Sequence, residues 1–383
     1  MLLLGSATPD ICSMYNALSG KYSLFTLSQR YNDMELPQVE IVDMKRELRR
    51  GNGSDISGTL RDRLMENIDR GEQSILFINR RGANKLVSCG ECGFTYKCPR
   101  CSVSLTYHSK RRRLMCHYCG HSRTVEEYCP DCGGMLRYIG TGTQNVEQQV
   151  KELFPNTEVL RVDSDTVTPA GDHEKLFERF RNEHIPVMVG TQMVTKGLNF
   201  ENVTLVGVVD ADQSLYAGSH RAGERSFSMI TQVIGRSGRG EKPGRAVIQT
   251  YTPNNETIAQ AAKQDYMEFY NSEIELRRIQ NAPPFSDIFS ITATGVDEEA
   301  VLRACNKIRD MLMPLGRQRP DVRILGPVPL PVVKVNNRFR YRVYICCKAD
   351  AQIRGCISGT LTGFYSEKNF RGVSVFADFD PAE

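Results

Sequence analysis

Residues 186–212 read "PVMVGTQMVTKGLNFENVTLVGVVDAD". Two apolar runs, "PVMV" and "VTLVGVV", each break into a polar loop. Short β-branched runs bounded by turn residues read as buried strands. The pattern repeats outward. "LRDRLMENIDRGEQ" (60–73) is helical, with Leu60, Leu64 and Ile68 on one face and Gly71 as its stop, and "SILFINRRG" (74–82) is a strand breaking into a basic loop. Val146, Val150 and Leu153 mark a helix ended by Pro155. "EVLRVDSD" (158–165) and "RAVIQTY" (245–251) are strands, and "HEKLFERFRNE" (173–183) is a helix. Alternating helices and apolar strands predict an α/β lobe with a parallel sheet and crossover helices. In such sheets the chemistry sits in loops at the strand C-termini. The loops of interest are therefore "NRRG", "GTQMVTKGLNF", "DADQSL" and the segment "QVIGRSGRG" (232–240).

One stretch interrupts this pattern: "CGECGFTYKCPRCSVSLTYHSKRRRLMCHYCGHSRTVEEYCPDC", residues 89–132. It holds eight of the chain's 13 cysteines, in four C-x-x-C pairs. Two such turns supply the four sulfurs of a tetrahedral zinc site, so eight thiols make two all-cysteine sites. The inner pairs, Cys98/Cys101 and Cys116/Cys119, flank a segment that alternates and turns like a hairpin, as in a zinc ribbon. The outer pairs, Cys89/Cys92 and Cys129/Cys132, lie where the insert leaves and rejoins its host. The expectation is nested wiring, inner with inner and outer with outer. His108, His117 and His121 leave open a site of three cysteines and one histidine. A segment this short has no adequate core of its own, so metal supplies its folding energy. Its seven Lys/Arg and four Asp/Glu sum to +3. Two zinc centres with four thiolates each add −4. The basic run at 110–113 therefore reads equally as an offset to the thiolates or as a DNA contact.

The length of 383 residues suits two or three domains, and 40% hydrophobic content with 25% charged residues excludes a disordered tail. No apolar stretch approaches the roughly 18 residues of a membrane span. An odd cysteine count without an export signal argues against a disulfide framework. A soluble, cytoplasmic chain is expected. A net charge of +4 does not by itself indicate nucleic acid.

In "QVIGRSGRG", Arg236 and Arg239 project three residues apart from a helix end, close enough to reach one set of phosphate oxygens. The neighbouring glycines permit close backbone approach. The tail reads β ("SDIFSITATG"), α ("DEEAVLRACNKIRDMLMPLG"), β ("VRILGPVP"), β ("RFRYRVYICC"), α ("AQIRGCISGTLTGFY"), β ("GVSVFADF"), a ferredoxin-like order. Arg338, Arg340 and Arg342 alternate with Phe339, Tyr341 and Val343, giving one basic strand face, either solvated or facing a DNA backbone.

"GSATP" (5–9), "FINRRG" (77–82), "GTQMVTKG" (190–197) and "QVIGRSGR" (232–239) resemble, in order, motifs III to VI of superfamily 2 helicases. The cysteine-rich insert between motifs IV and V resembles that of the PriA family of replication-restart helicases (primosomal protein N′). So do "RAGER" (221–225), "PPF" (283–285), "ILGPVP" (324–329) and "DFDP" (378–381). Ser237 stands where the family often has Ala, and Leu198 where it has His. No G-x-x-x-x-G-K-[ST] loop and no D-E-x-H box occurs, so the chain reads as the portion from motif III onward and is expected not to hydrolyse ATP alone.

The resemblance implies a division of the chain. Residues 1–36 are a remnant of the first RecA-like lobe, and 37–87 with 135–280 form the second. The zinc insert is 88–134 and a DNA-binding domain is 281–383. It also implies site roles. Arg236 and Arg239 engage ATP phosphates, supported by Gln232. Thr191, Gln192, Lys196 and Gly197 couple nucleotide to DNA, and Ser6 and Thr8 link hydrolysis to movement. The implied cofactors are two Zn²⁺ and, in the whole protein, ATP with Mg²⁺. The implied partners are forked and single-stranded DNA, the replicative helicase with its loader, and a single-stranded DNA-binding protein. The expected form is a monomer at forks in the bacterial nucleoid. Rival readings are a non-catalytic zinc-containing DNA scaffold, a zinc-ribbon nuclease, or a subunit of another superfamily 2 translocase. Against a nuclease, "DAD" (210–212) has no further carboxylates placed for two metals.

Overall fold

The computed structural model of the chain describes residues 2–27, 35–79, 86–89, 91–99, 104–108, 112–116, 120–139, 142–162, 172–191, 200–215 and 219–381. Strands β1 (Gln38–Asp43) and β2 (Gln73–Phe77) belong to the host lobe; β3 (Leu86–Cys89), β4 (Thr106–His108), β5 (Arg113–Met115), β6 (Ser122–Thr124) and β7 (Leu136–Ile139) belong to the insert. The host continues with β8 (Val159–Val162), β9 (Val187–Gly190), β10 (Val203–Val208) and β11 (Arg245–Thr250). The six host strands pair in parallel, in the order β1-β11-β10-β2-β9-β8.

Both faces of this sheet are covered, which is why its strands read as continuous apolar runs. On one face α3 (Gly58–Asp69) and α4 (Thr143–Leu153) pack Leu60, Leu64, Val146 and Val150 against Leu76, Val187, Val189, Leu205 and Val247. On the other, α5 (Asp172–Asn182), α7 (Ala222–Ile234), α8 (Glu256–Lys263) and α9 (Tyr266–Gln280) cover Ile75, Phe77, Met188, Val206, Val208 and Ile248. The helix α1 (Ile11–Leu18) adds Ile11 and Met14 to this second core. Short helices α2 (Met44–Arg49) and α6 (Asp212–Leu215) follow β1 and β10. Ser57 caps α3 by accepting from Leu60 N at 3.1 Å, and Gly71, the stop that the sequence suggested, closes its end by donating to Ile68 O. Leu153 differs: it is 40% exposed on the outer side of α4. The strand β1 and helices α8 and α9 are elements that the sequence expectations did not include.

The insert closes on itself. Its first and last strands, β3 and β7, pair antiparallel with Cys89 opposite Leu136. Between them β4, β5 and β6 form a meander over the expected hairpin. Val87, Tyr96, Leu105, Tyr107 and Leu114 make a small core that also takes in Cys98 and Cys116.

The tail has β12 (Asp287–Gly295), α10 (Glu298–Gln318), β13 (Arg323–Val335), β14 (Arg338–Cys347), α11 (Ala351–Ser366) and β15 (Ser374–Phe379). Their antiparallel order, β13-β14-β12-β15, is the ferredoxin-like arrangement. The α10 and α11 side buries Ile291, Tyr341, Val343 and Ile345. The basic alternation on β14 is not a solvated row. Arg342 is 7% exposed, its Nε donates to Thr292 Oγ1 at 3.0 Å, and it lies beside the cluster of Ile288, Val328, Tyr344 and Cys346. A guanidinium whose stem packs on apolar neighbours and whose head finds a hydroxyl is stable inside, and that was invisible to strand alternation.

Candidate functional site

The outer cysteines converge. The sulfurs of Cys89, Cys92, Cys129 and Cys132 lie within 4.8 Å of one another, with Cys89–Cys132 at 3.5 Å and Cys92–Cys129 at 3.6 Å. A tetrahedral zinc with Zn–S near 2.3 Å places its sulfurs about 3.8 Å apart, so the set fits that ion. Two backbone amides point at the sulfurs, Glu91 N at Cys89 Sγ and Phe94 N at Cys92 Sγ, both at 3.4 Å. A Cβ on Gly134 would stand 3.1 Å from Cys89 Sγ, so that glycine lets the chain pass the site. Burial and then the neighbouring sulfurs push the Cys92 thiol up to about 12; a bound cation inverts that preference and keeps the sulfurs ionised. Of the inner set, Cys98 and Cys116 are buried in one cluster, while Cys101, Cys119 and His117 lie outside the described residues. Among the described residues no other group of three or more Cys, His, Asp or Glu side chains converges as a metal site.

The insert touches both neighbours. Arg49 Nη2 donates to Glu91 O, and the Lys45 ammonium lies against Gly93. On its other side, a Cβ at Gly120 would stand 2.8 Å from Pro327 O, within "ILGPVP" of the C-terminal domain.

The end of α7 carries the arginine pair. Arg236 is half-buried, Arg239 and Gln232 are exposed, and Arg239 Nε donates to Gly235 O at 2.9 Å. Burial, and then the Arg239 charge, lower the Arg236 pKa, so two cations are held together where an anion would be welcome. Ser237 is buried and donates to Ile234 O at 2.9 Å, a bond for which Ala has no substitute but which costs no space. The glycines allow the close backbone approach that was expected. Gly238 packs on Gly244, with 2.5 Å between its would-be Cβ and Gly244 N, and Gly240 packs likewise on Glu201 O. The close approach is of protein backbone to protein backbone, which fixes the loop bearing Arg239.

Thr191 is buried at the end of β9; Gln192, Lys196 and Gly197 lie outside the described residues. Thr8 N donates to Ser6 Oγ at 3.1 Å, a local turn just ahead of α1. At the end of β10, Asp212 accepts from Thr250 Oγ1, Tyr251 N and Thr252 Oγ1 at 3.0, 2.7 and 2.5 Å. Burial, and then the neighbouring Asp212, push Asp210 up to about 7.

Sequence reasoning missed one buried network. Arg277 of α9 is 1% exposed and its guanidinium meets Glu224 of α7 at 2.7 Å and Glu273 at 2.8 Å. Glu224 also accepts from Ile11 N at 3.0 Å, and Arg277 Nη1 donates to Pro283 O at 3.3 Å. At the start of α7, Arg221 holds Asp380 in a two-oxygen contact at 2.6 and 2.7 Å. The short motifs "RAGER", "PPF" and "DFDP" are thus contacts between the parallel-sheet lobe and the C-terminal domain. A signal did exist in the paired charges of "RAGER", but their partners stand 53 and 159 residues away.

Comparison with known proteins agrees with this geometry. The model of the primosomal protein N C-terminal domain matches residues 278–382, that of the PriA DNA helicase Cys-rich region matches 98–123, and the helicase conserved C-terminal domain matches 135–241. Replication restart protein PriA of Bacillus subtilis is 40% identical over 99% of this chain and 47% of its own length. The Synechocystis and Rickettsia prowazekii proteins of that name are 38% and 34% identical, over 90% and 99% of this chain and 42% and 58% of theirs. The chain spans about half the length of the curated relatives it matches, 47% for the first of them.

Proposed function

We propose, from the premise that this chain is PriA-like along 99% of its length, that it forms the second RecA-like lobe, zinc insert and C-terminal domain of an ATP-dependent 3′–5′ DNA helicase. In the whole protein this machine binds abandoned or stalled forks and single-stranded DNA in the bacterial cytoplasm. It works as a monomer with the single-stranded DNA-binding protein, and it hands the fork to the replicative helicase and its loader.

One observation carries the reading: Arg236 and Arg239 sit together at the end of α7, where burial, and then the Arg239 charge, lower the Arg236 pKa. That arrangement suits charge developing on a transferring phosphoryl group. Gln232 lies one turn before Arg236 and supports it. Thr191, Gln192, Lys196 and Gly197 relay the nucleotide state to DNA, and Ser6 and Thr8 relay hydrolysis to the neighbouring lobe. The insert holds two zinc ions, one on Cys89, Cys92, Cys129 and Cys132 and one on Cys98, Cys101, Cys116 and Cys119. These ions supply rigidity and not chemistry.

The test uses a protein of the relatives' full length. Arg236→Ala or Arg239→Ala should lower DNA-stimulated ATP hydrolysis by roughly 10³-fold, with fork binding retained. Loss of fork binding with hydrolysis intact would reverse the assignment. The present chain by itself should release no phosphate from ATP, with or without DNA.

A further inference from the structure

We infer that Lys45 and Arg49 are the outer-sphere cations of the Cys89/Cys92/Cys129/Cys132 centre, and that through them the metal site and the motor lobe stabilise one another. The inference rests on the reading of those four cysteines as a zinc site.

The helix α2 begins where edge strand β1 ends, capped by Asp43, which accepts from Lys45 N at 2.9 Å. Lys45 and Arg49 are four residues apart and so share one face of the helix. That face meets the first outer knuckle. Arg49 donates to the carbonyl of Glu91, one residue before Cys92. The Lys45 ammonium fills the space that a Cβ on Gly93, one residue after Cys92, would occupy.

A zinc ion with four thiolates carries a net charge of −2. The Glu91 carboxylate adds to this, since its Cδ lies 2.9 Å from the position of a Gly134 Cβ, beside Cys89 Sγ. Two cations set against such a cluster offset most of its negative charge. Arg49 also acts through the backbone. The oxygen it holds belongs to Glu91, whose own N–H donates to Cys89 Sγ at 3.4 Å, so Arg49 fixes the residue that places this amide on the sulfur.

The second outer knuckle provides an internal comparison. Gly133 has a φ of +73°, close to the +77° of Gly93, so both need glycine for the same backbone reason. Among the described residues nothing lies within 4 Å of a Cβ built at Gly133. The clasp is therefore a feature of one knuckle, not of C-x-x-C turns in general.

The experiment follows zinc release from the zinc-loaded chain to a chromogenic chelator, comparing wild type with Lys45→Met/Arg49→Met and the charge-conserving Lys45→Arg/Arg49→Lys. Loss of outer-sphere partners weakens metal sites by about 10- to 100-fold. One release phase should quicken by about tenfold or more in the Met variant and the other should not change. The charge-conserving variant should release zinc close to the wild-type rate. Hydrogen exchange of residues 91–99 should rise in the Met variant alone. Unchanged release in the Met variant, or equal acceleration in both variants, would overturn the inference. A Cys89→Ser/Cys132→Ser chain identifies the outer phase; if it keeps full zinc and both phases, the cysteine reading itself fails and takes the inference with it. Should the double Met variant not fold, Lys45→Met alone carries the same test, and a wild-type release rate in it counts against the clasp.

Discussion

Asp210→Asn should make the parallel sheet more stable at neutral and alkaline pH and remove part of its pH dependence. Asp210 is 6% exposed, and its carboxylate faces Asp212, whose own oxygens are already engaged by Thr250, Tyr251 and Thr252. Asp210 itself accepts one amide, Gln213 N at 3.2 Å, which Asn also accepts. Burial and the Asp212 charge raise its pKa from 3.8 to about 7. The folded lobe therefore holds a proton that the unfolded chain has released across that window. Stability contributed by this group is full below the unfolded value and is lost as pH rises toward 7. The gap is worth about 4 kcal/mol at 1.36 kcal/mol per pH unit. The variant should gain about 1 to 2 kcal/mol over wild type at pH ~5 and about 4 at pH ~8. Glu224 and Glu273, raised first by burial, tilt both proteins alike and cancel in the difference. Hydrogen exchange of the β10 and β11 amides measures sheet opening without assuming that a multidomain chain unfolds in one step. A difference between the two proteins that does not vary between pH ~5 and ~8 would refute the reasoning, because only an ionisable Asp210 makes it vary.

Arg277→Met should cost about 3 to 5 kcal/mol, since it leaves the Glu224 and Glu273 carboxylates buried without their cation; thermal unfolding reads it, and adding Glu224→Gln with Glu273→Gln should recover much of the loss. Asp380→Asn releases Arg221 from a partly exposed pair and should cost no more than about 1 kcal/mol, seen as faster hydrogen exchange in β15 with the lobe unchanged. Gly120→Ala forces an L-residue to the φ of +75° and into Pro327 O; a loss of about 1 to 2 kcal/mol from the backbone alone, with the insert exposed to protease, is expected.

Local pattern in the sequence was enough for those parts whose physics is local. Apolar runs between turn residues disclosed the buried strands β2, β8, β9, β10 and β11, because a sheet covered on both faces needs side chains that tolerate no water on either side. The order of strands and helices after residue 286 disclosed the ferredoxin-like domain. The placing of Cys89/Cys92 and Cys129/Cys132 at the two ends of the insert foretold that their sulfurs meet, since a chain leaving and rejoining one sheet must bring its ends together. What tertiary structure alone decided were pairings between distant residues. Arg342 reads as surface in a strand, yet it is buried with its Nε–H donating a hydrogen bond to Thr292, 50 residues earlier. Arg277 is one more charge on a helix until Glu224 arrives from 53 residues away. The glycines after Arg236 were read as allowing close backbone approach, and only the fold shows that Gly244 and Glu201 are what approach them. Lys45 and Arg49 look like ordinary solvated charges until the first zinc knuckle is folded onto them. Charges and glycines have no local periodicity that encodes their partners; their roles follow from which segment the fold brings within hydrogen-bonding reach.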